Sequence, residues 1–278
     1  MVSIVKSDLS VAILGAGKVG TALARALRPR GIQVTLRSAR RGIPKRPIQA
    51  DLLILAVRDG KLGDLVRELL ELGAVTRRTA VVHCAGSLGP EVLAPLRAIS
   101  AGVAQMHPMI SFASPGFVPT LKGGQMHVDG DPRAVAVAKR LARSLGMSAR
   151  TIPGLDRVAY HAAAGLVANG AAALAAAGSE LLVQGGVAPD VAPKMLGPLL
   201  RSVADNVERL GLPDALTGPV RRGDAPGVER HLEVIAGRAP HLVPLYRALV
   251  LAQVPLARAL ADGPAVAFDS IERLAEGR

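Results

Sequence analysis

The chain has 278 residues, half of them hydrophobic, which exceeds one typical domain and fits two, with enough apolar material for a sizeable core. Its formal net charge of +12 attracts anions such as nucleotides and phosphorylated substrates. With Phe 3, Tyr 2 and Trp 0 the aromatic platforms that stack single-stranded nucleic acid are nearly absent, so the expected partner is a small molecule and not a nucleic acid. One cysteine, Cys84, excludes an intramolecular disulfide and fits a reduced, cytoplasmic compartment.

The first apolar run, after Lys6 and Asp8, is broken at once by Gly15, Gly17, Lys18 and Gly20, which argues against a secretion signal. Residues 11–14 read as a buried parallel strand ending in glycines, and 21–27 have helical spacing. Further strands are expected at 32–36, 52–57, 80–84, 103–106 and 125–128, with helices at 62–72, near 90–99 and at 132–145. Such alternation predicts an α/β Rossmann domain with a parallel, doubly wound sheet.

The texture changes at 151–155. After it only helical material follows, beginning with one long helix over 156–184 that Gly185 and Gly186 end. Prolines at 213, 219, 226 and 240 break the later helices. The expected division is 1–153 as an α/β domain and 154–278 as an all-α domain. The stretch 162–183 is apolar enough to resemble a membrane span, but it is mostly Ala and Gly with Asn169 inside, and reads as a buried helix of a soluble protein.

The run Val-Ala-Ile-Leu-Gly15-Ala-Gly17-Lys18-Val19-Gly20 carries the dinucleotide fingerprint. Gly15 permits the tight turn, Gly17 lets backbone approach a pyrophosphate, and Gly20 lets helix and strand pack closely. Lys18 and Val19 open the helix whose free N–H groups face the phosphates. The end of the second strand selects the cofactor. NAD-binding chains usually place an acid there, whereas here the segment reads Arg37-Ser38-Ala39-Arg40-Arg41, with no Asp or Glu between Gly20 and Asp51. Guanidinium groups suit a 2′-phosphate, so NADP(H) is the expected cofactor, with Arg37, Ser38 and Arg41 foremost and Arg40 beside them. The third strand ends in Ala56, Val57 and Arg58, over the cofactor at the carboxyl edge of the sheet.

Further along, residues 83–87 read His-Cys-Ala-Gly-Ser, 106–109 read Met-His-Pro-Met before Ser111 and Phe112, and 157–161 read Arg-Val-Ala-Tyr-His, leading to Asn169. Residues 215–224 read Ala-Leu-Thr-Gly-Pro-Val-Arg-Arg-Gly-Asp, and His231 follows. Together these segments resemble a bacterial family of Rossmann-like oxidoreductase homologues catalogued as domain of unknown function 2520, and the resemblance covers nearly the whole chain. The layout is more distantly similar to pyrroline-5-carboxylate reductase, ketopantoate reductase, prephenate dehydrogenase and the β-hydroxyacid dehydrogenases. The resemblance implies a C-terminal domain like that of 6-phosphogluconate dehydrogenase, homodimerisation through it, and an NADP-linked reductase acting on a C=O or C=N group. A deazaflavin as second redox partner is suggested by distant resemblance only. One departure stands out. Ketopantoate reductases and β-hydroxyacid dehydrogenases place a catalytic Lys one turn before an Asn; if Asn169 is that Asn, position 165 is Gly, and no lysine lies between Lys139 and Lys194. The missing Lys keeps open a protein that binds NADP(H) as a sensor without turnover, and the charge alone leaves a basic interaction protein as a third reading.

Hydride transfer asks the protein for orientation and a proton partner, a role that suits histidine near neutrality. Arg157, His161 and Asn169 fall on one helix face at one- and two-turn spacing. His161 is the candidate proton donor and Asn169 a holder of substrate or nicotinamide amide. His107, after a strand, is expected near the nicotinamide, His83 by the same logic, and Thr217 with its neighbouring arginines can hold a substrate carboxylate. The six histidines are scattered, with no metal-ligand spacing, so no metal is expected.

Overall fold

The computed structural model describes residues 9–278. Among these, seven strands form one sheet: β1 (Ser10–Leu14), β2 (Gln33–Arg37), β3 (Leu52–Leu55), β4 (Ala80–His83), β5 (Gly102–Pro108), β6 (Gln125–Gly130) and β7 (Ser148–Arg150), in the order β2-β1-β3-β4-β5-β6-β7. The central strands are short apolar runs buried on both faces; all four residues of β3 are buried. Side chains alternate between two cores. Val11, Ile13, Leu52, Ile54 and Val82 face helices α1 (Lys18–Leu27) and α3 (Pro132–Ser144). Ala12, Leu14, Leu53, Leu55 and Val81 face α2 (Leu62–Glu71) and a 3-10 helix at Pro90–Leu96.

Three details differ from the sequence reading. Strand β6 runs antiparallel to β5. The link between them, 109–124, forms no helix, so it makes no crossover and the chain turns back. Strand β7, Ser-Ala-Arg, was not anticipated because it has no apolar run; it pairs parallel with β6 after the α3 crossover. The helix expected near 90–99 is a 3-10 helix, with Pro95 inside it removing a backbone donor.

After β7 no strand follows among the described residues, and the chain is helical: α4 (Arg157–Gln184), α5 (Ala192–Leu210), α6 (Ala225–Arg238), α7 (Val243–Leu260) and α8 (Ala265–Glu276). By packing, the chain forms two compact units, Met1–Gly165 and Leu166–Arg278, so the first turns of α4 belong with the sheet. The second unit has its own core of Val220, Val228, Val250, Val254, Phe268 and Ile271, built from α6, α7 and α8. Arg221 ties the preceding turn to the carbonyls of Asp214 and Leu216 and to Asp262, while the Asp224 carboxylate accepts from Gly227 N–H at 2.9 Å and caps α6.

Helix α4 is as long as expected but not buried. None of its residues is buried within this chain, and Leu166 and Val167 are 79% and 72% exposed. Its apolar residues are spread around the helix, so no stripe is formed to face the core that the later helices build. By length and composition alone, Arg157–Gln184 and Pro240–Leu260 could each cross a membrane; the second sends Val250, Val254 and Ala257 into the core of the second unit.

Candidate dinucleotide and proton-transfer sites

The strand order reverses between β1 and β3, since β2 and β3 lie on opposite sides of β1. Ligands of doubly wound sheets bind at such a switch point, beyond the carboxyl ends of the strands. A cavity of about 830 Å³ lies there, lined by Gly15, Ala16, Gly17, Ser38, Ala39, Arg40, Ala56, Val57, Arg58 and Lys61, among others.

The three glycines have separate reasons to be glycine. Gly15 has φ +118° and donates its N–H to the Arg37 carbonyl at 2.9 Å; a Cβ on it would lie 2.2 Å from the Ala56 carbonyl oxygen. A Cβ on Gly20 would lie 1.9 Å from the Gly15 oxygen, so α1 can press onto the turn only without one. A Cβ on Gly17 would meet nothing within 4 Å. Gly17 is therefore not required by packing; any side chain there would fill the cavity instead. Gly17 is also the N-cap of α1 and offers no side-chain acceptor, which leaves first-turn amides for an anion. This cradle fits a dinucleotide pyrophosphate.

The cations sort differently from their sequence order. Ser38 and Arg40 line the cavity, whereas Arg37 and Arg41 do not. Arg37 donates from Nε to the Gly42 carbonyl at 2.6 Å and from Nη2 to the Arg41 carbonyl at 2.7 Å, folding the loop that carries Arg40. Arg58 lines the cavity, as does Lys61, which sequence reasoning missed; its signal was the Asp-Gly-Lys turn that opens α2. Ala56 and Val57 lie on the cavity wall; Lys18 and Val19 do not, and Val19 packs against the core.

A second cluster stands at the carboxyl ends of β4 and β5 and the first turns of α4, wholly inside the first unit. His83 is buried. Its Nδ1 accepts from Ala85 N–H at 3.2 Å, so its Nε2 donates to the Gly89 carbonyl at 3.0 Å. Burial holds its pKa below the usual value, and both nitrogens are committed to shaping the 85–89 loop. Gln105 braces the same loop, donating from Nε2 to the carbonyls of Ala85 and Gly86 at 2.9 and 3.2 Å, and its Oε1 accepts from His127 Nδ1 at 3.0 Å. Burial pushes the Cys84 thiol up to about 12, which disfavours a thiolate there.

His107 and His161 meet over Gly86. Their rings are 5.7 Å apart, edge to face, and a Cβ on Gly86 would lie 2.3 Å from His161 Nδ1 and 2.9 Å from His107 Nε2. Burial, then the neighbouring His161 and His127, push the His107 pKa down to about 4, so its ring is neutral at physiological pH, and its Nδ1 has no partner. His161 is exposed. The Tyr160 ring packs against both His107 and His127, at 5.5 and 5.8 Å. Below them Arg157 pairs with Asp129, and Asp156 Oδ1 accepts from the N–H groups of Val158 and Ala159, fixing the first turn of α4. Asn169 and Thr217 belong to the second unit, where both are exposed. Among the described residues no group of three or more His, Cys, Asp or Glu is placed to hold a metal ion.

The fold and the glycine cradle define a Rossmann-type chain with a helical C-terminal region. Residues 2–108 match the family model of a Rossmann-like domain, and residues 125–253 match that of DUF2520, a domain of unknown function. The two matches follow one another along the chain, in the arrangement its motifs suggested. No curated protein matches the sequence. Among solved structures, a Bacteroides fragilis protein provisionally named an NADP oxidoreductase has 24% identity over 88% of this chain and 98% of its own, with TM-score 0.67. A Thermotoga maritima protein has 21% identity over 90% and 98%, with TM-score 0.63. The pyrroline carboxylate reductase of Plasmodium falciparum, solved with NADP bound, has 13% identity over 96% and 98%, with TM-score 0.60. At these identities the likeness is one of fold.

Proposed function

We propose that the protein is an NADP(H)-dependent oxidoreductase that reduces a C=O or C=N group of a small, anionic substrate. The observation that carries the reading is the switch-point cavity: an unobstructed glycine cradle at Gly17, with Arg40, Arg58 and Lys61 around it and no acid at the end of β2. The fold shared with an NADP-binding reductase supports it.

The bound nicotinamide would supply the hydride. Gly15, Gly17 and the first-turn amides of α1 would hold the pyrophosphate, and Arg40, Lys61 and Ser38 the 2′-phosphate. His161, an exposed imidazole resting on Gly86, gives a proton to the oxygen or nitrogen that gains charge. His107, neutral beside it, adds no positive charge to the pair. On this reading the Lys absent at position 165 is replaced by a histidine one turn earlier, which favours an enzyme over a silent sensor. Asn169 and Thr217 are proposed substrate contacts. The test is single-turnover oxidation of bound NADPH against a panel of keto acids and cyclic imines; stereospecific hydride loss to any member supports the reading, and NADPH that does not bind refutes it.

We further propose a soluble, cytoplasmic homodimer built on the C-terminal helices. The exposed apolar residues Leu166, Val167, Met195, Leu199, Val203 and Leu210 of α4 and α5 motivate it. Light scattering giving a monomer mass at micromolar concentration, or recovery of the protein only with membranes, contradicts it.

A further inference from the structure

A second cavity, of about 280 Å³, opens in the first unit where the start of β6, the end of β7 and the first turn of α4 meet. Tyr160, whose ring packs on His107, is one of its walls, so the cavity adjoins the proposed proton-transfer site. Its volume is just below the usual range for ligand cavities, which calls for a small guest. Met109, Met126 and Ile152 give it an apolar lining, and methionine side chains adapt readily to a guest's shape. Met109 and Ile152 are 39% and 44% exposed, so apolar surface stands open at the mouth.

Three polar groups of this lining lack protein partners. The exposed side chain of Arg150, the register partner of His127 across β6 and β7, makes no ion pair or side-chain hydrogen bond among the described residues. The Tyr160 hydroxyl likewise has none. His127 is only 2% exposed, and its Nε2 makes no hydrogen bond of ordinary geometry, although the Ile152 carbonyl faces the ring. The state of that nitrogen follows from its neighbours. Gln105 spends its amide N–H groups on two carbonyls, so its Oε1 can only accept and His127 Nδ1 must donate. In the neutral ring Nε2 is then an acceptor without a donor. Burial and Arg157 favour that neutral ring; Asp129 and the backbone carbonyl of Ile152 oppose them and do not prevail. The charge at the wall is one-sided: Arg150 is a cation and no carboxylate lines the cavity, unlike the dinucleotide cavity, where Asp64 and Glu68 take part.

We propose that this cavity binds a small carboxylate, its apolar body against Met109, Met126 and Ile152 and its carboxylate on Arg150 and the Tyr160 hydroxyl. Guanidinium and phenol together give a carboxylate charge-assisted hydrogen bonds on a partly desolvated wall. A hydroxyl or amine on the same molecule would meet His127 Nε2 once the ring shifts to admit it. That the cavity receives the substrate rests on the reductase reading; that it binds carboxylates does not.

The chain offers its own reporter. It has Trp 0 and Tyr 2, so in Tyr246→Phe the emission of Tyr160 is observed alone. Hexanoate and cyclohexanecarboxylate, with hexanol and cyclohexylmethanol as neutral counterparts, are titrated against this variant. The carboxylates are expected to change Tyr160 emission saturably, and the alcohols to bind at least about tenfold more weakly. Arg150→Gln should weaken the carboxylates by about that same factor and leave the alcohols unchanged. Proton NMR of the His127 ring in the parent protein provides the same titration should Tyr246→Phe fold poorly. No saturable response, equal binding of acids and alcohols, or discrimination that survives Arg150→Gln overturns the proposal. NADPH titration of the same samples keeps that failure distinct from failure of the reductase reading.

Discussion

Arg37 and Arg40 stand three residues apart and share a charge, yet their substitution should have different consequences. Arg40 lines the dinucleotide cavity, so Arg40→Ala removes a cation from the proposed 2′-phosphate site and nothing else. A hydrogen bond to a charged group contributes about 1.5–3 kcal/mol, and Arg40 is exposed, so the lower end applies. NADPH should therefore bind about tenfold more weakly, near 1.4 kcal/mol, with NADH affected less than about twofold. Arg37 instead donates to the carbonyls of Gly42 and Arg41. Arg37→Ala loosens the loop that carries Ser38 and Arg40 at a cost of about 1 kcal/mol per lost bond, so both dinucleotides should weaken. The assay is titration of nicotinamide fluorescence with each variant at two salt concentrations. The NADPH preference of the parent protein should narrow at high salt, where the exposed cations are screened. The reasoning is refuted if Arg40→Ala keeps the preference, or if Arg37→Ala alone abolishes it while leaving NADH binding intact.

The other predictions concern the cradle, the histidines and pH. Gly17→Ala adds a Cβ that meets nothing within 4 Å, so its stability cost should stay near that of a poorer N-cap, about 1 kcal/mol, but it should lose NADPH binding by at least about tenfold; unchanged affinity would count against the cradle. Once a substrate is known, His161→Ala should lower turnover by about 10²–10⁴-fold with NADPH affinity little changed, and an unaltered rate would remove His161 from the chemistry. His107 binds its proton in the unfolded chain near pH 6.5 but in the fold only near about 4, so the unfolded state holds more protons between these values. Stability contributed by the neutral ring is thus present above 6.5 and lost as pH falls toward 4, by up to about 3 kcal/mol, and urea unfolding should show this slope flattened in His107→Asn.

The glycine turn at the switch-point cavity was largely legible because each of its geometric requirements leaves a local mark. Gly15 and Gly20 are fixed by contacts with Ala56 and with each other's backbone, and a strand, a turn and a helix follow in sequence. The arginine loop was only half legible. Charge showed that 37–41 is basic, but which guanidinium faces the cavity depends on carbonyls that only the folded loop presents, and Lys61 comes from the next crossover. Strand β7 and the reversal of β6 were not legible, because a three-residue edge strand has no apolar pattern and strand direction depends on what the connection fails to form.

The histidines mark the limit most clearly. In sequence, His83, His107 and His161 differ only in position, and His127 is not singled out. Folding makes them different through the partners of each nitrogen. His83 has both nitrogens engaged by its own loop, which leaves it no proton to give. His127 is held as a donor at Nδ1 by an amide that has no other orientation open to it. His107 is neutral because burial and two neighbouring imidazoles make a charge there expensive. His161 remains, exposed and touching Gly86, with the neutral His107 ring as its near neighbour. A proton donor needs access and must not have to compete with a second cation. In the first unit, His161 is the exposed imidazole of the four, and the ring that packs on it carries no charge of its own.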